Sequence, residues 1–444
     1  MTNIFENGPS GSGRIVNAIF LSVMNRDSVL IGKTLMGMND LECRVRIVCA
    51  DSEDLDGDEE AFVDFMNEVR DTQLIMGSFH GDESHFKKYD RMMELVGSRG
   101  TDMLYFGSIP DANAENRHLF KHSNAEYTTL GALVHLGGPE NYRSAILWME
   151  KNLAGIADIE VPDPVHGPTE GVGIPGREGM SPEELFDSLD PSKPTVAVIM
   201  PTVYWEKGRH EPVDDLCRRL EELGANAIPL FCISSPDDIS GSLGIEGTMG
   251  KYLRKEGKTI ADVIVMAVGF SQINLNNVSG SKDAKNFFLD MDVPVIQGQS
   301  VSRKISDWEE DVIGMNALEI GANVIWPEYD GQIISVPLSF TSRTEDGEFV
   351  ATSVPDRVER IATQAVAWAR LRHTPPEDRK VAIMLNMYPP TNDHVGGAAG
   401  LDTFESIRRC LIAMKGQGYR VDRIPENGNE VVDELMAGLT NDLE

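Results

Sequence analysis

The sequence predicts an α/β protein of successive doubly wound, Rossmann-like parallel-sheet domains, the last one incomplete. Three observations carry that expectation. Short apolar runs of strand length alternate with stretches of helical spacing along the whole chain. A Pro- and Gly-dense segment at 160–194 breaks the rhythm and marks a domain boundary. After residue 377 only two strand-like and two helix-like stretches remain, too few to close a doubly wound core. The predicted organisation is an N-terminal α/β domain at 1–159, the linker, a second α/β domain at 195–376, and the start of a third at 377–444.

In the first domain RIVNAIFLSVM (14–24), VRIVCA (45–50), QLIMGS (73–78) and MLYFGS (103–108) read as buried strands. Glu59–Arg70, Glu83–Val96 and a closing stretch around Asn141–Asn152 read as helices, so the strands run parallel with helical crossovers. In the second domain TVAVIMP (195–201), AIPLFCI (227–233), VIVMAVG (263–269) and VPVIQG (293–298) are strands, and Val213–Leu223 is a helix ending at Gly224. Asp330-Gly331 lies between two strand-like runs and predicts a hairpin. A long helix over Asp356–Arg372 follows Pro355. In the third block VAIMLN (381–386) and Arg420–Ile424 read as strands, with helices at Thr403–Lys415 and Glu430–Met436.

The 444 residues are 41% apolar and 25% charged, the balance of a soluble globular protein. No apolar run of about 18 residues predicts a membrane span, and MTNIFENGPSGSG lacks the order of a secretory signal, so the expected location is cytoplasmic. The net charge of −31, from 71 acidic and 40 basic residues, repels nucleic acid and anionic membrane. The five cysteines are scattered, with no CxxC pair, and read as isolated thiols, four of them in or beside apolar runs.

An open α/β sheet binds ligands at the carboxyl ends of its strands, which singles out four loops. TVYWEKGRHE (202–211) offers Tyr204 and Trp205 beside Lys207, Arg209 and His210: flat faces for a planar macrocycle and cations for its carboxylates. GFSQINLNNVSGS (269–281) is rich in amides and small residues, suited to hydrogen-bonding polar side groups and equally to capping and turns. In WPEYDGQ (326–332) Glu328 and Asp330 stand two apart and, on an extended backbone, face the same side. Paired carboxylates hold a hard cation or accept protons. YPPTNDHVGGAAGL (388–401) brings Asn392, His394, Gly396 and Gly397 into a Gly-rich loop entering a helix, a cradle for an anion that matches no nucleotide fingerprint. The His80–Gly81 pair and His85 near Asp82 and Glu83 fit no standard metal spacing.

Several long stretches occur in one order: LGGPENYRSAILWM (136–149), TVYWEKGR (202–209), DVPVIQGQSVSRKISDW (292–308), GANVIWPEYDGQIISVPLSF (321–340), DRVERIATQAVAWARLR (356–372) and RKVAIMLNMYPPTNDHVGGAAGLDTFESI (379–407). In these the chain resembles the N-terminal portion of the CobN family, the large subunit of aerobic-type cobaltochelatase, and its relative the magnesium-chelatase H subunit. The resemblance implies a subunit that receives a metal-free tetrapyrrole and a divalent metal, with ATP hydrolysed by separate AAA+ ATPase chelatase subunits. For the cobalt branch, favoured by the length of the first block, the macrocycle is hydrogenobyrinate a,c-diamide of cobalamin biosynthesis; Co2+ is then the metal, with Mg2+ or Ni2+ as alternatives. Carried over by position, Glu328 and His394 are cavity candidates and the candidate catalytic proton acceptors; the loop readings make Tyr204, Arg209, Asp330, Asn392, Gly396 and Gly397 candidate substrate-binding residues. Two departures stand out. The family's later His-Gly/Glu segment is absent, which implies a separate C-terminal part of the same large subunit or a stand-alone, non-catalytic tetrapyrrole carrier. And where many members read RSHYLSGN, this chain reads TVYWEKGR, keeping Tyr204 and Gly208.

Overall fold

The structure is a computed structural model that describes residues 2–9, 13–23, 29–79, 81–107, 109–206, 208–273, 286–312, 314–343, 349–388 and 394–438. Two compact units emerge: Met1–Pro168 with Asp237–Ser242, and Thr169–Pro236 with Leu243–Glu444.

Unit one is a five-stranded sheet made by β1 (Asn3–Asn7), β2 (Ile15–Val23), β3 (Arg44–Asp51), β4 (Leu74–Phe79) and β5 (Asp102–Gly107), in the order β1-β3-β2-β4-β5. β2 to β5 are parallel and β1 lies antiparallel on β3. Alternation along β2 sends Val16, Ala18 and Phe20 to one face and Ile19, Leu21 and Val23 to the other. Both faces are therefore apolar, and helices cover both. The first face is covered by α1 (Val29–Gly37), α6 (Asn124–Leu136) and α7 (Gly138–Asn152). The second is covered by α2 (Ser52–Gly57), α3 (Glu59–Asp71) and α4 (Tyr89–Arg99), while α5 (Pro110–Asn116) follows β5.

Unit two begins inside the segment expected to be a linker. There β6 (Glu170–Val172) pairs antiparallel with a later strand, and Ser181 caps α8 (Pro182–Ser188) through a reciprocal Ser181–Glu184 box. Next come β7 (Thr195–Pro201), α9 (Thr202–Glu206), α10 (Glu211–Glu222) and β8 (Asn226–Cys232). Two-residue pairings, β9 (Pro236–Asp237) with β10 (Ser242–Leu243) and β11 (Arg254–Lys255) with β12 (Lys258–Thr259), flank α11 (Gly244–Tyr252). They precede β13 (Val263–Met266), α12 (Phe287–Met291) and β14 (Val295–Gln297). The order is β14-β13-β7-β8-β6, parallel except for β6. Read from the antiparallel edge, both units run edge, second, first, third, fourth parallel strand. The same topology is thus built twice.

β15 (Ser300–Val301) joins a small sheet with the antiparallel pair β16 (Ser339–Arg343) and β17 (Phe349–Ser353). Between them lie α13 (Ile305–Glu310), α14 (Ala317–Ile320), a π-helical turn at Gly321–Ile325 and α15 (Trp326–Tyr329). The hairpin expected at Asp330-Gly331 is not formed. Pro327 sits at the start of a helical turn, Gly331 closes it at φ +88, and the antiparallel pair sits further on, at β16 and β17. The helix expected over Glu83–Val96 is likewise a 3-10 turn at Glu83–His85 followed by α4.

α16 (Pro355–His373) returns to the sheet and buries Val358, Ile361, Ala362, Ala365, Val366 and Ala369 beside Val213, Leu216, Cys217 and Leu220 of α10. The two strands expected in the third block do not form. Val381, Ile383 and Met384 are exposed, 420–424 carries no strand, and Met387 makes only a single antiparallel bridge to Val395. An apolar run becomes a strand only where neighbouring strands take its backbone hydrogen bonds. α17 (Thr403–Gly416) and α18 (Gly428–Met436) pack on one another. Four cysteines are buried and Cys410 is exposed. Among the described residues no helix is long and apolar enough to cross a membrane.

Candidate functional site

The site follows from the winding of unit two. The helix after β7, α10, packs on the face that carries Val196, Val198 and Met200. The helix after β13, α12, packs on the opposite face with Ala197 and Ile199. Chains leaving two adjacent parallel strands therefore diverge to opposite faces, and a crevice opens between the carboxyl ends of β7 and β13.

On the β7 side, Thr202 is buried and its hydroxyl donates to the Thr169 carbonyl at 2.9 Å. Tyr204 and Arg209 are brought together through the backbone, the Arg209 N–H donating to the Tyr204 carbonyl at 2.7 Å. Tyr204 and Trp205 do not stand free as two open faces. Both pack against the α10–α16 core, and Trp205 stacks on Phe231 at 5.3 Å with an interplanar angle of 2°. The His210 ring lies 4.8 Å from Trp205, with its Nδ1 2.8 Å from Asp214. Lys207 lies outside the described residues.

On the β13 side, the second and third sequence-predicted loops meet at Asp330. The Ser271 hydroxyl donates to Oδ1 at 2.6 Å and the Gln272 N–H to Oδ2 at 2.6 Å. Asn286 donates to the Asp330 carbonyl at 3.0 Å. Asp330 is 2% exposed; burial pushes its carboxyl above the usual carboxylate range, while the Ser271 and Gln272 bonds pull the other way. Both oxygens are engaged inside the protein, so Asp330 bolts two loops together and does not offer its carboxylate to a ligand. Glu328, two residues earlier, is exposed. The expectation that the two carboxylates share a side fails because the backbone there is helical and not extended. Gln332, 3% exposed, brings its amide toward Asp330 and also favours the ionised carboxyl.

Asp330 holds an aromatic pair that inspection of the loop for its amides passed over. Phe270 is 57% exposed at φ +64, a conformation rare for a bulky side chain. Its N–H donates to the Ala322 carbonyl on the π-turn at 2.6 Å, and its ring lies 5.6 Å from that of Trp326, which is 39% exposed. Gly269 packs closely on the π-turn, where a Cβ would meet the Asn323 Oδ1 at 2.6 Å and Asn323 would have to shift. The signal in the sequence was two large aromatics, Phe270 and Trp326, each directly at the head of a polar loop.

The fourth loop is a local turn. Gly396 is buried at φ +68, where a Cβ would press on Phe404 at 3.1 Å. Its N–H donates to the Asn386 carbonyl at 2.8 Å and its carbonyl accepts from Thr403 at 2.6 Å. Gly397 and His394 are exposed and joined by a backbone bond of 3.2 Å. Asn392 and His80 lie outside the described residues. Among the described residues no group of three or more His, Cys, Asp or Glu side chains is arranged to hold a metal ion.

The solved catalytic subunit of cobaltochelatase from Mycobacterium tuberculosis superposes with a TM-score of 0.53 at 23% identity, over 95% of this chain and 33% of that one. That likeness is one of fold. The CobN/Magnesium Chelatase family model matches residues 132–444, and the chain belongs to that family. Among its relatives is an uncharacterised protein of Methanocaldococcus jannaschii, 26% identical over 86% of this chain and 32% of its own length. The aerobic cobaltochelatase subunit CobN of Pseudomonas aeruginosa is 27% identical over 85% and 29%. The chloroplastic magnesium-chelatase subunit ChlH of Oryza sativa is 26% identical over 78% and 25%. The chain spans about a third or less of the length of these curated relatives.

Proposed function

We propose that the chain is the tetrapyrrole-receiving segment of a chelatase large subunit, inserting cobalt into hydrogenobyrinate a,c-diamide during cobalamin biosynthesis in the cytoplasm. The observation that carries this reading is the family match across 132–444, which contains the whole β7–β13 crevice. Insertion replaces two pyrrolic N–H bonds by metal–nitrogen bonds, so each proton must pass to an acceptor as the metal enters. Glu328 and His394 are exposed groups suited to take those protons. Arg209 beside β7, with the half-buried edge of Tyr204, and Asn392 and Gly397 take the macrocycle and its polar side groups; Gly396 shapes the turn that carries Gly397, and Asp330 serves by fixing the loop after β13. The divalent metal is a substrate, and AAA+ partner subunits hydrolyse ATP. A separate C-terminal part of the same large subunit is a further partner in this reading.

A second reading keeps the binding and drops the chemistry: a tetrapyrrole carrier. Its support is that Glu328 and His394 stand on separate segments, Glu328 within α15 and His394 on the loop before α17. Titrating the purified chain with hydrogenobyrinate a,c-diamide and protoporphyrin IX tests both. Micromolar binding is expected; absence of any binding sinks both readings. Adding the ATPase subunits with Co2+, Mg2+ or Ni2+ then separates chelatase from carrier and chooses the metal.

A further inference from the structure

Phe270 and Trp326 are large apolar side chains held open to solvent, although burial would favour both. Exposure alone is ordinary. These two differ because the surrounding structure works to keep them there. A phenylalanine at φ +64 is strained, and such strain persists only where neighbouring contacts over-determine it. Here those contacts are explicit: the Phe270 N–H on the Ala322 carbonyl, Gln272 reaching back to the Gly269 and Phe270 carbonyls at 2.7 and 3.1 Å, and buried Asp330 gripping Ser271 and Gln272. Trp326 in turn leaves the π-helical turn, a distortion that recurs at functional sites. Tyr329, one turn on, is 74% exposed. The pair stands at the carboxyl end of β13, on the crevice.

We infer that Phe270 and Trp326 form an aromatic platform that stacks one face of the flat, metal-free macrocycle at the mouth of the β7–β13 crevice. This deepens the tetrapyrrole reading and rests on it. Ring centroids 5.6 Å apart, tilted by 33°, lie close enough for one conjugated macrocycle to cover both. The occupant is a π-ligand with a polar edge and not an aliphatic one, because the apolar rings adjoin polar groups. Exposed Glu328 follows Trp326 by two residues, and the buried Gln332 amide lies on the same segment. Trp205, by contrast, is already stacked on Phe231 and is not available for this role.

The test uses the full chain, titrated with hydrogenobyrinate a,c-diamide and protoporphyrin IX, the tighter ligand serving as probe. Phe270→Gly removes the ring while relieving the positive φ, so thermal stability is expected to hold or rise as affinity falls about tenfold. Trp326→Ser is expected to weaken binding by a similar factor, about tenfold, and Trp326→Phe, which keeps a ring, by less than about threefold. Macrocycle-dependent quenching of tryptophan emission is expected to shrink in Trp326→Phe. If Phe270→Gly and Trp326→Ser bind as tightly as the parent, the platform is wrong while the tetrapyrrole reading stands. If the parent binds neither macrocycle, that reading fails and the platform falls with it.

Discussion

Glu150, on α7, has no exposed surface, and its Oε1 accepts the backbone N–H groups of Glu42 and Cys43, both at 2.8 Å. Those donors lead into β3, so one carboxylate ties a helix to the start of a central strand. It also helps to push the Cys43 thiol up to about 12, after burial itself. Glu150→Ala leaves the buried Cys43 N–H and the part-buried Glu42 N–H unpaired and is expected to cost about 3 kcal/mol in urea unfolding, while Glu150→Gln, which keeps an acceptor oxygen, costs about 1 kcal/mol. Equal losses would show that the contact is packing and not hydrogen bonding. Asp330 gives a pH signature. Its carboxyl is raised in the folded state by burial, so its contribution to stability is fully present below pH 3.8 and is lost as the pH rises through the folded value. The stability of the parent minus that of Asp330→Asn is therefore expected to fall from low pH upward and then level off. A difference that grows with pH would mean the Ser271 and Gln272 bonds outweigh burial. None of this was legible in the sequence, where Asp330 before Gly331 reads as a turn and nothing singles out Glu150 within the helix around Asn141–Asn152. Burial and partners come from chain segments far away, 108 residues in the case of Glu42 and Glu150.

At the level of elements, period and length located most of both sheets. The four strands expected of each of the first two blocks are β2 to β5 and β7, β8, β13 and β14, because an apolar run flanked by turns and joined to a crossover helix has few other ways to bury itself. The misses have a common cause. β1 and β6 are antiparallel edges, whose sequences NIFEN and EGV are too short or too polar to announce a strand. Conversely, VAIMLN has strand composition with no sheet beside it. The α10–α16 layer shows what sequence does specify: Val358, Ile361, Ala362, Ala365, Val366 and Ala369 lie on one helical stripe, and the alanines let α16 approach the sheet closely. Ala365→Leu forces extra methylene groups into fully buried space and is expected to destabilise by about 2 kcal/mol, measured by denaturant midpoint. Ala367→Leu, on the exposed side of the same helix, is expected to change stability by less than about 0.5 kcal/mol.

For the whole molecule, charge and topology set the behaviour. Acidic residues exceed basic ones by 31 in 444, and like charges at that density repel across the surface at low salt. Raising NaCl from about 0.05 M to about 1 M shortens the screening length to roughly 3 Å and is expected to raise the melting temperature. A fall would show that ion pairs such as Arg46–Glu68, at 2.6 Å, outweigh the net repulsion. Family membership was legible from ordered motifs, and the crevice from strand-end loops. The repeated strand order, edge-second-first-third-fourth, was not, since it lives in pairings and leaves no shared residues to read.

Residues 237–242 carry a practical consequence. Although they follow β8 in the chain, they belong to unit one: Asp237 meets His135 of α6 at 3.1 Å, and Ile239 packs into the cluster beneath α1, α6 and α7. The polypeptide therefore passes from one unit to the other three times, at 168/169, 236/237 and 242/243. No single cleavage separates the units cleanly. A fragment ending at Pro168 exposes the surface that Ile239 covers, and it is expected to unfold at lower temperature than the same unit inside the full chain, with a synthetic peptide spanning 235–244 restoring part of the loss in a thermal-shift assay. Gene fusions, truncations and protease maps that follow linear order will divide this unit between two products.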